Sequence, residues 1–143
     1  MKRAATTHAN RTIAVISVAV GLAMGSAALA HHSFAMFDFA RTVTLKGVVR
    51  EFQWTNPHVI LWVVGTTAAG GPAEDWSVEL TSPGNLTRLG WSKRSVKTGD
   101  RVLVDLNPLR DGQHGGGFRK LTLADTGQVL VANLRDQERP GLQ

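Results

Sequence analysis

The sequence predicts a small all-β domain with one short helix, an OB-fold-like Greek-key barrel in the order β-β-β-α-β-β. Three observations point there. Short apolar runs, alternating or continuous, recur between turn residues from Thr42 to Ala132. The one clear helix start, Ser82-Pro83, falls between the third and fourth runs. Gly47 interrupts the first run where its apolar phase changes, as happens at a bulge in a sharply bent strand. A helix between strands three and four is the OB-fold arrangement, and barrel closure removes the exposed edges of so small a sheet. An open sandwich is the alternative, because closure is not visible in a pattern.

The elements follow in order. Residues 42–54 form the first strand, Val43 and Leu45 in one phase and Val48, Phe52 and Trp54 in the other, with the bulge placed at Gly47. Thr55-Asn56-Pro57 breaks it. Residues 58–64 (HVILWVV) are apolar on both faces, which predicts a central strand. A loop with Gly70-Gly71-Pro72 leads to a third strand alternating through Trp76, Val78 and Leu80. In the helix, Ser82 caps, Pro83 takes the first position, Leu86 and Leu89 share a face, and Gly90 ends it, with a further turn expected over 92–96. The fourth strand is 101–106. The glycine-laden 107–117 (NPLRDGQHGGG) reads as a long loop, 118–124 as a fifth strand and 128–132 as a short sixth.

The domain is preceded by an export signal. Lys2, Arg3 and Arg11 make a basic start, and the apolar run 13–24 is shorter than the ~20 residues a membrane span needs. Ala28-Leu29-Ala30 is a signal-peptidase site. Cutting there leaves a chain that begins His31-His32; cutting after Ala28 is the rival, and an uncleaved anchor the other reading. The expected organisation is a signal over 1–30, an N-terminal arm over 31–41 carrying Phe34, Phe37 and Phe39, the barrel over 42–134 and a polar tail over 135–143. The mature protein is then exported, periplasmic or secreted, with no membrane insertion. Loss of Lys2, Arg3 and Arg11 lowers the formal charge from +5 to +2. That is too little for a polyanion partner, so no nucleic acid is expected. The chain has no cysteine, which excludes disulfides and thiolate chemistry.

His31-His32-Ser33-Phe34, Phe37-Asp38, Trp54-Thr55-Asn56-Pro57-His58, Gly90-Trp91-Ser92-Lys93 and Lys97-Thr98-Gly99-Asp100 together resemble an uncharacterised family of exported bacterial proteins, the domain of unknown function DUF6152. The resemblance spans essentially the whole mature chain. It implies export and a single small β-domain, and it carries over no catalytic residue.

Few residues invite chemistry. A free amine at His31, its ring and the His32 ring are candidate ligands for copper, because imidazole suits Cu, Zn and Ni. His58, in the first loop, and His114, in the glycine-rich loop, are the candidates to complete such a site; otherwise His58 bonds to Asn56 and His114 is simply exposed. Trp54, Asn56, His58 and Trp91 make a candidate ligand face, the two tryptophans half-exposed at element ends. Trp62 and Trp76 fall on core phases. No carboxylate pair, no Ser-His-Asp arrangement and no phosphate-binding loop is fixed by spacing, so no catalytic residue is assigned. The expectation is a non-enzymatic binding domain for a small ligand or a periplasmic protein, with a copper-binding protein as the alternative.

Overall fold

The first strand, β1 (Val43–Gln53), owes its extended form to a run of β-branched and aromatic residues. It pairs antiparallel with β2 (Ile60–Thr67) on one side and with β4 (Arg101–Pro108) on the other. The computed structural model describes residues 34–67 and 70–132. With β3 (Glu74–Glu79), β5 (Gly115–Leu123) and β6 (Val129–Val131), the strands run β3-β2-β1-β4-β5-β6. A parallel pairing of β3 with β5 joins the ends, Ser77 to Gly115 and Glu79 to Gly117. Five strands therefore close into an OB-fold-like barrel, and β6 is added outside on β5.

The interior follows from period-two alternation. Leu45 and Val49 from β1, Leu61 and Val63 from β2, Trp76 and Val78 from β3, Val102, Val104 and Leu106 from β4, and Phe118 and Leu121 from β5 make one core. The helix α1 (Pro83–Arg88) lies between β3 and β4, as the sequence suggests. The Ser82 hydroxyl accepts from the Asn85 amide at 3.3 Å, Pro83 opens the first turn, and Gly90 has φ +86° just past the end. Leu86 is fully buried, whereas Leu89, expected on the same face, is 46% exposed. A helix this short turns only one residue inward. The turn expected over 92–96 is present, with the Ser95 amide donating to the Ser92 carbonyl at 3.0 Å, and Val96 alone dips into the core.

Two expectations about glycine are corrected. The bulge is not at Gly47, which pairs in regular register with Gly65 and Val102. The register slips between Val49 and Glu51, leaving Arg50 unmatched. Val48 is 44% exposed, so the odd-numbered residues point inward from Val43 through Val49, and the phase changes only there. Gly47 instead serves close approach. A Cβ there would meet Val63 Cγ1 at 2.7 Å and the Val64 carbonyl oxygen, and one on Gly65 would meet Gly47 Cα at 2.8 Å. Likewise, Gly115 to Gly117 are strand, not loop. A Cβ on Gly116 would meet Leu106 Cδ1 at 2.6 Å, and one on Gly115 would lie 2.9 Å from both Ser77 Oγ and Leu109 Cδ1. The glycines are there because β3, β4 and β5 crowd together at the closure.

The second strand alternates after all: Leu61 and Val63 are buried while Ile60, Trp62 and Val64 face outward. It is central in pairing, between β1 and β3, yet lined by core on one face only. The arm is held by Phe37, which is buried, bridges to Leu109 and meets Phe39 edge-on at 6.1 Å. Backbone bonds from Asp38 to Pro108 (2.8 Å) and from Arg110 to Met36 (2.9 Å) complete the anchor. Residues 1–33, with the expected signal and the His31-His32 pair, lie outside the described residues.

On the β1–β4–β5 wall, Asp105 accepts from the Thr44 hydroxyl at 2.8 Å and pairs with Lys120 Nζ at 2.9 Å. Burial works to raise its pKa, but the bonds from Lys120 and Thr44 and the charges of Lys120 and Arg119 prevail and hold it below the ordinary carboxylate value. A depressed folded pKa contributes stability above the unfolded pKa, and that contribution is lost as pH falls through the folded one. Asp105→Asn should therefore cost about 1 kcal/mol at pH 7, Lys120 being half-exposed. In urea melts the gap to the parent should close in strong acid; a gap independent of pH contradicts this account.

The glycine argument is tested by a pair of substitutions. Gly47→Ala forces Val63 or the β2 backbone to move and should destabilise by about 1–3 kcal/mol. Gly84→Ala, in α1 with nothing within 4 Å of the added carbon, should be neutral or stabilising by about 0.4–1 kcal/mol. Equal denaturation midpoints for the two variants would exclude close approach as the reason for Gly47.

Candidate functional site

Because the barrel interior is filled with aliphatic and aromatic side chains, chemistry is confined to the outer wall. The outward residues of β2 and β3 are the most varied there. Trp62 lies on this face, its indole covered by the Arg50 guanidinium 5.0 Å from the ring centroid. The bulge is what permits this: as the unmatched residue of β1, Arg50 is turned toward β2 and its neighbour β3. Arg50 Nε lies 3.2 Å from Asp75 Oδ1, both side chains half-exposed, so the pair orients the guanidinium more than it stabilises the fold. Trp62 Nε1 donates to Gln53 Oε1 at 3.4 Å.

Farther along the same strands, His58 Nδ1 lies 2.5 Å from Glu79 Oε1. His58 precedes β2, and Glu79 ends β3, paired with Ile60 across the ladder. The backbone bonds between Val59 and its neighbours Leu80 (2.8 Å) and Thr81 (3.2 Å) fix the loop that carries the imidazole. A carboxylate on Nδ1 sets the ring's orientation and leaves Nε2 as the second functional atom. Beside it, Ile60, Ser77, Glu79, Met36 and Phe37 border a recess of about 70 Å³. The anchored arm therefore forms one rim of this face.

The sequence-derived candidates separate on this surface. His58 is held by Glu79 and not by Asn56, which is exposed in the turn with a cis Asn56–Pro57 bond. Trp54 is half-buried, edge-on to Phe52 at 5.6 Å. Trp91, expected half-exposed, is only 3% exposed; it packs at a tilt against Phe52, meets Phe118 edge-on and donates from Nε1 to the Val131 carbonyl at 3.1 Å. It belongs to the core cluster with Leu86 of the helix. His114 is exposed and stacks on Trp76 with ring centroids 5.0 Å apart, a different setting from that of His58. Among the described residues no three histidine or carboxylate side chains gather as a metal would require. His31 and His32 lie outside those residues.

Sequence reasoning missed Arg50, Trp62, Asp75 and Glu79. The run Val59–Val64 is apolar at every position, so it does not show that Trp62 faces outward rather than into the core. The available signal was polar: Ser77 and Glu79 alternate out of phase with Trp76 and Val78, and strand pairing gives β2 the same outer face.

Among the described residues no helix is long and apolar enough to cross a membrane. No curated protein and no solved structure matches the chain. Residues 19–119 match the model of DUF6152, a family of unknown function, and the chain belongs to that family.

Proposed function

We propose that the protein is an exported, non-enzymatic binding domain that takes a small ligand or a periplasmic protein segment on the outer face of β2 and β3. The observation that carries this reading is Trp62. Trp76 and Trp91 are buried and Trp54 packs against the core, whereas Trp62 is set on the outer wall between a cation and a row of polar groups. An indole kept on the surface and oriented by Arg50 and Gln53 is a ready stacking platform. Around it Arg50 and His58 alternate with Asp75 and Glu79, so the face suits a ligand with both an acceptor and a cationic donor. The same mixture of signs argues against nucleic acid, which would need a continuous basic stripe. Export rests on the leader and its cleavage site as read from the sequence.

Amide chemical-shift mapping tests the site with a panel of small anionic, cationic and zwitterionic probes. Shifts are expected to cluster at Arg50, His58, Trp62, Asp75, Ser77 and Glu79, and to disappear in Trp62→Ala. Clustering elsewhere, or salt-sensitive submicromolar binding of single-stranded DNA, would overturn the reading.

The second reading is a copper site at the exported amino terminus. The observation favouring it is the position of Ala30: cleavage there frees the His31 amine beside two imidazoles. An α-amino group titrates near 7.7–8 and an imidazole near 6.5, so Cu(II) displaces their protons at neutral pH. Cu(II) titration should show tight binding that is lost in His31→Ala and on N-acetylation. Equal, weak binding by all three forms excludes the site.

A further inference from the structure

We propose that a groove on the outer wall of β2, β1 and β4, beside the Trp62 site and shifted along β2 toward Thr66, binds a single long-chain fatty acid with its carboxylate at Lys46. Two cross-strand rows make the groove. In one, Val48 lies between Val64 and Arg101; in the other, Lys46 lies between Thr66 and Leu103. Between the rows the wall is the backbone of Gly47 and Gly65, which are paired directly across the ladder and whose missing side chains would face the core. Its volume is about 810 Å³, within the roughly 300–1,000 Å³ of small-molecule sites.

The lining is apolar where a soluble wall is ordinarily polar. Val48, Val64 and Leu103 are large hydrophobics left 44%, 38% and 40% exposed, and all three line this one groove. Its charge is one-sided: Lys46 and Arg101 line it and no carboxylate does. Arg101 is engaged by Asp125, Nε to Oδ1 at 3.0 Å, whereas Lys46 makes no ion pair among the described residues. An apolar trough with one unneutralised ammonium calls for an apolar chain ending in an anion.

Other occupants fit less well. A second copy meeting this face about a two-fold axis would bring its own Lys46 and Arg101 into the interface, with no carboxylate in the lining to meet them. A bilayer surface is flat and does not enter a trough whose floor is backbone. A monomeric amphiphile fills it and pairs with Lys46 at once.

The test is displacement of a fluorescent C18 fatty acid from the purified, delipidated protein by palmitate and by hexadecanol. Saturable one-to-one binding is expected. Val48→Asp, at an exposed position, should weaken both competitors by tenfold or more, an effect of about 1.4 kcal/mol or greater. Lys46→Glu should weaken palmitate by about tenfold while leaving hexadecanol within about twofold. Melting curves guard against misfolding, and Leu103→Ser supplies a milder second variant with the same expected direction as Val48→Asp. Absence of saturable binding, or palmitate affinity indifferent to Lys46→Glu, overturns the proposal. So does a concentration-dependent dimer abolished by Val48→Asp, or adsorption to anionic vesicles without binding of monomeric palmitate.

Discussion

The structure depends on backbones approaching closer than side chains allow. At one place β1 and β2 meet through Gly47 and Gly65; at the other β3, β4 and β5 converge on Gly115 and Gly116. The second contact joins the two ends of the sheet. Without it the order β3-β2-β1-β4-β5 would leave long unpaired edges on a domain too small to tolerate them. With it, Ser77 to Glu79 have partners on both sides, β2 and β5, and the core is enclosed. The absence of cysteine makes this enclosure the main source of stability.

Closure also determines where function can lie. A five-strand barrel has room inside only for its own side chains, here chiefly leucine, valine, Phe118, Trp76 and Trp91. Everything available to a partner is on the wall, where each strand shows every second residue. The bulge at Arg50 bears directly on this. It keeps β1 long enough to pair with both β2 and β4 while reversing its phase, so that Phe52 supports the core and Arg50 covers Trp62. Bulges commonly re-aim a side chain in this way. The glycine pair acts on the inner face, where its missing side chains make room for Val63, while Val48, Val64 and Leu103 stay on the outer one.

Much of the fold was legible in the residues. The succession of elements along the chain, the Ser82 cap and the helix between the third and fourth strands all follow from local chemistry, because each depends on neighbours in sequence. What was misread depends on neighbours in space. A glycine run such as Gly115 to Gly117 has loop composition, and only the crowding of β3 and β4 makes it strand. Gly47 sits near a phase change and attracts the bulge assignment, yet the slip falls at Arg50, where no residue type marks it. Trp62 and Trp91 exchanged expected environments for the same reason. An apolar run conceals which of its faces is outward, and a tryptophan just past a helix looks peripheral until Phe52, Phe118 and the Val131 carbonyl are found around it. The carboxylate partner of His58 comes from another strand, so no local spacing could reveal it.

The most direct measurement is hydrogen exchange along the seam between β3 and β5. Closure predicts that amides from Ser77 to Glu79 and from Gly115 to Gly117 exchange as slowly as those joining β1 to β4, since all would open only with the barrel. Rapid exchange confined to the seam, with β1–β4 protected, would mean an open sheet. The outer faces described here would then lose their common frame.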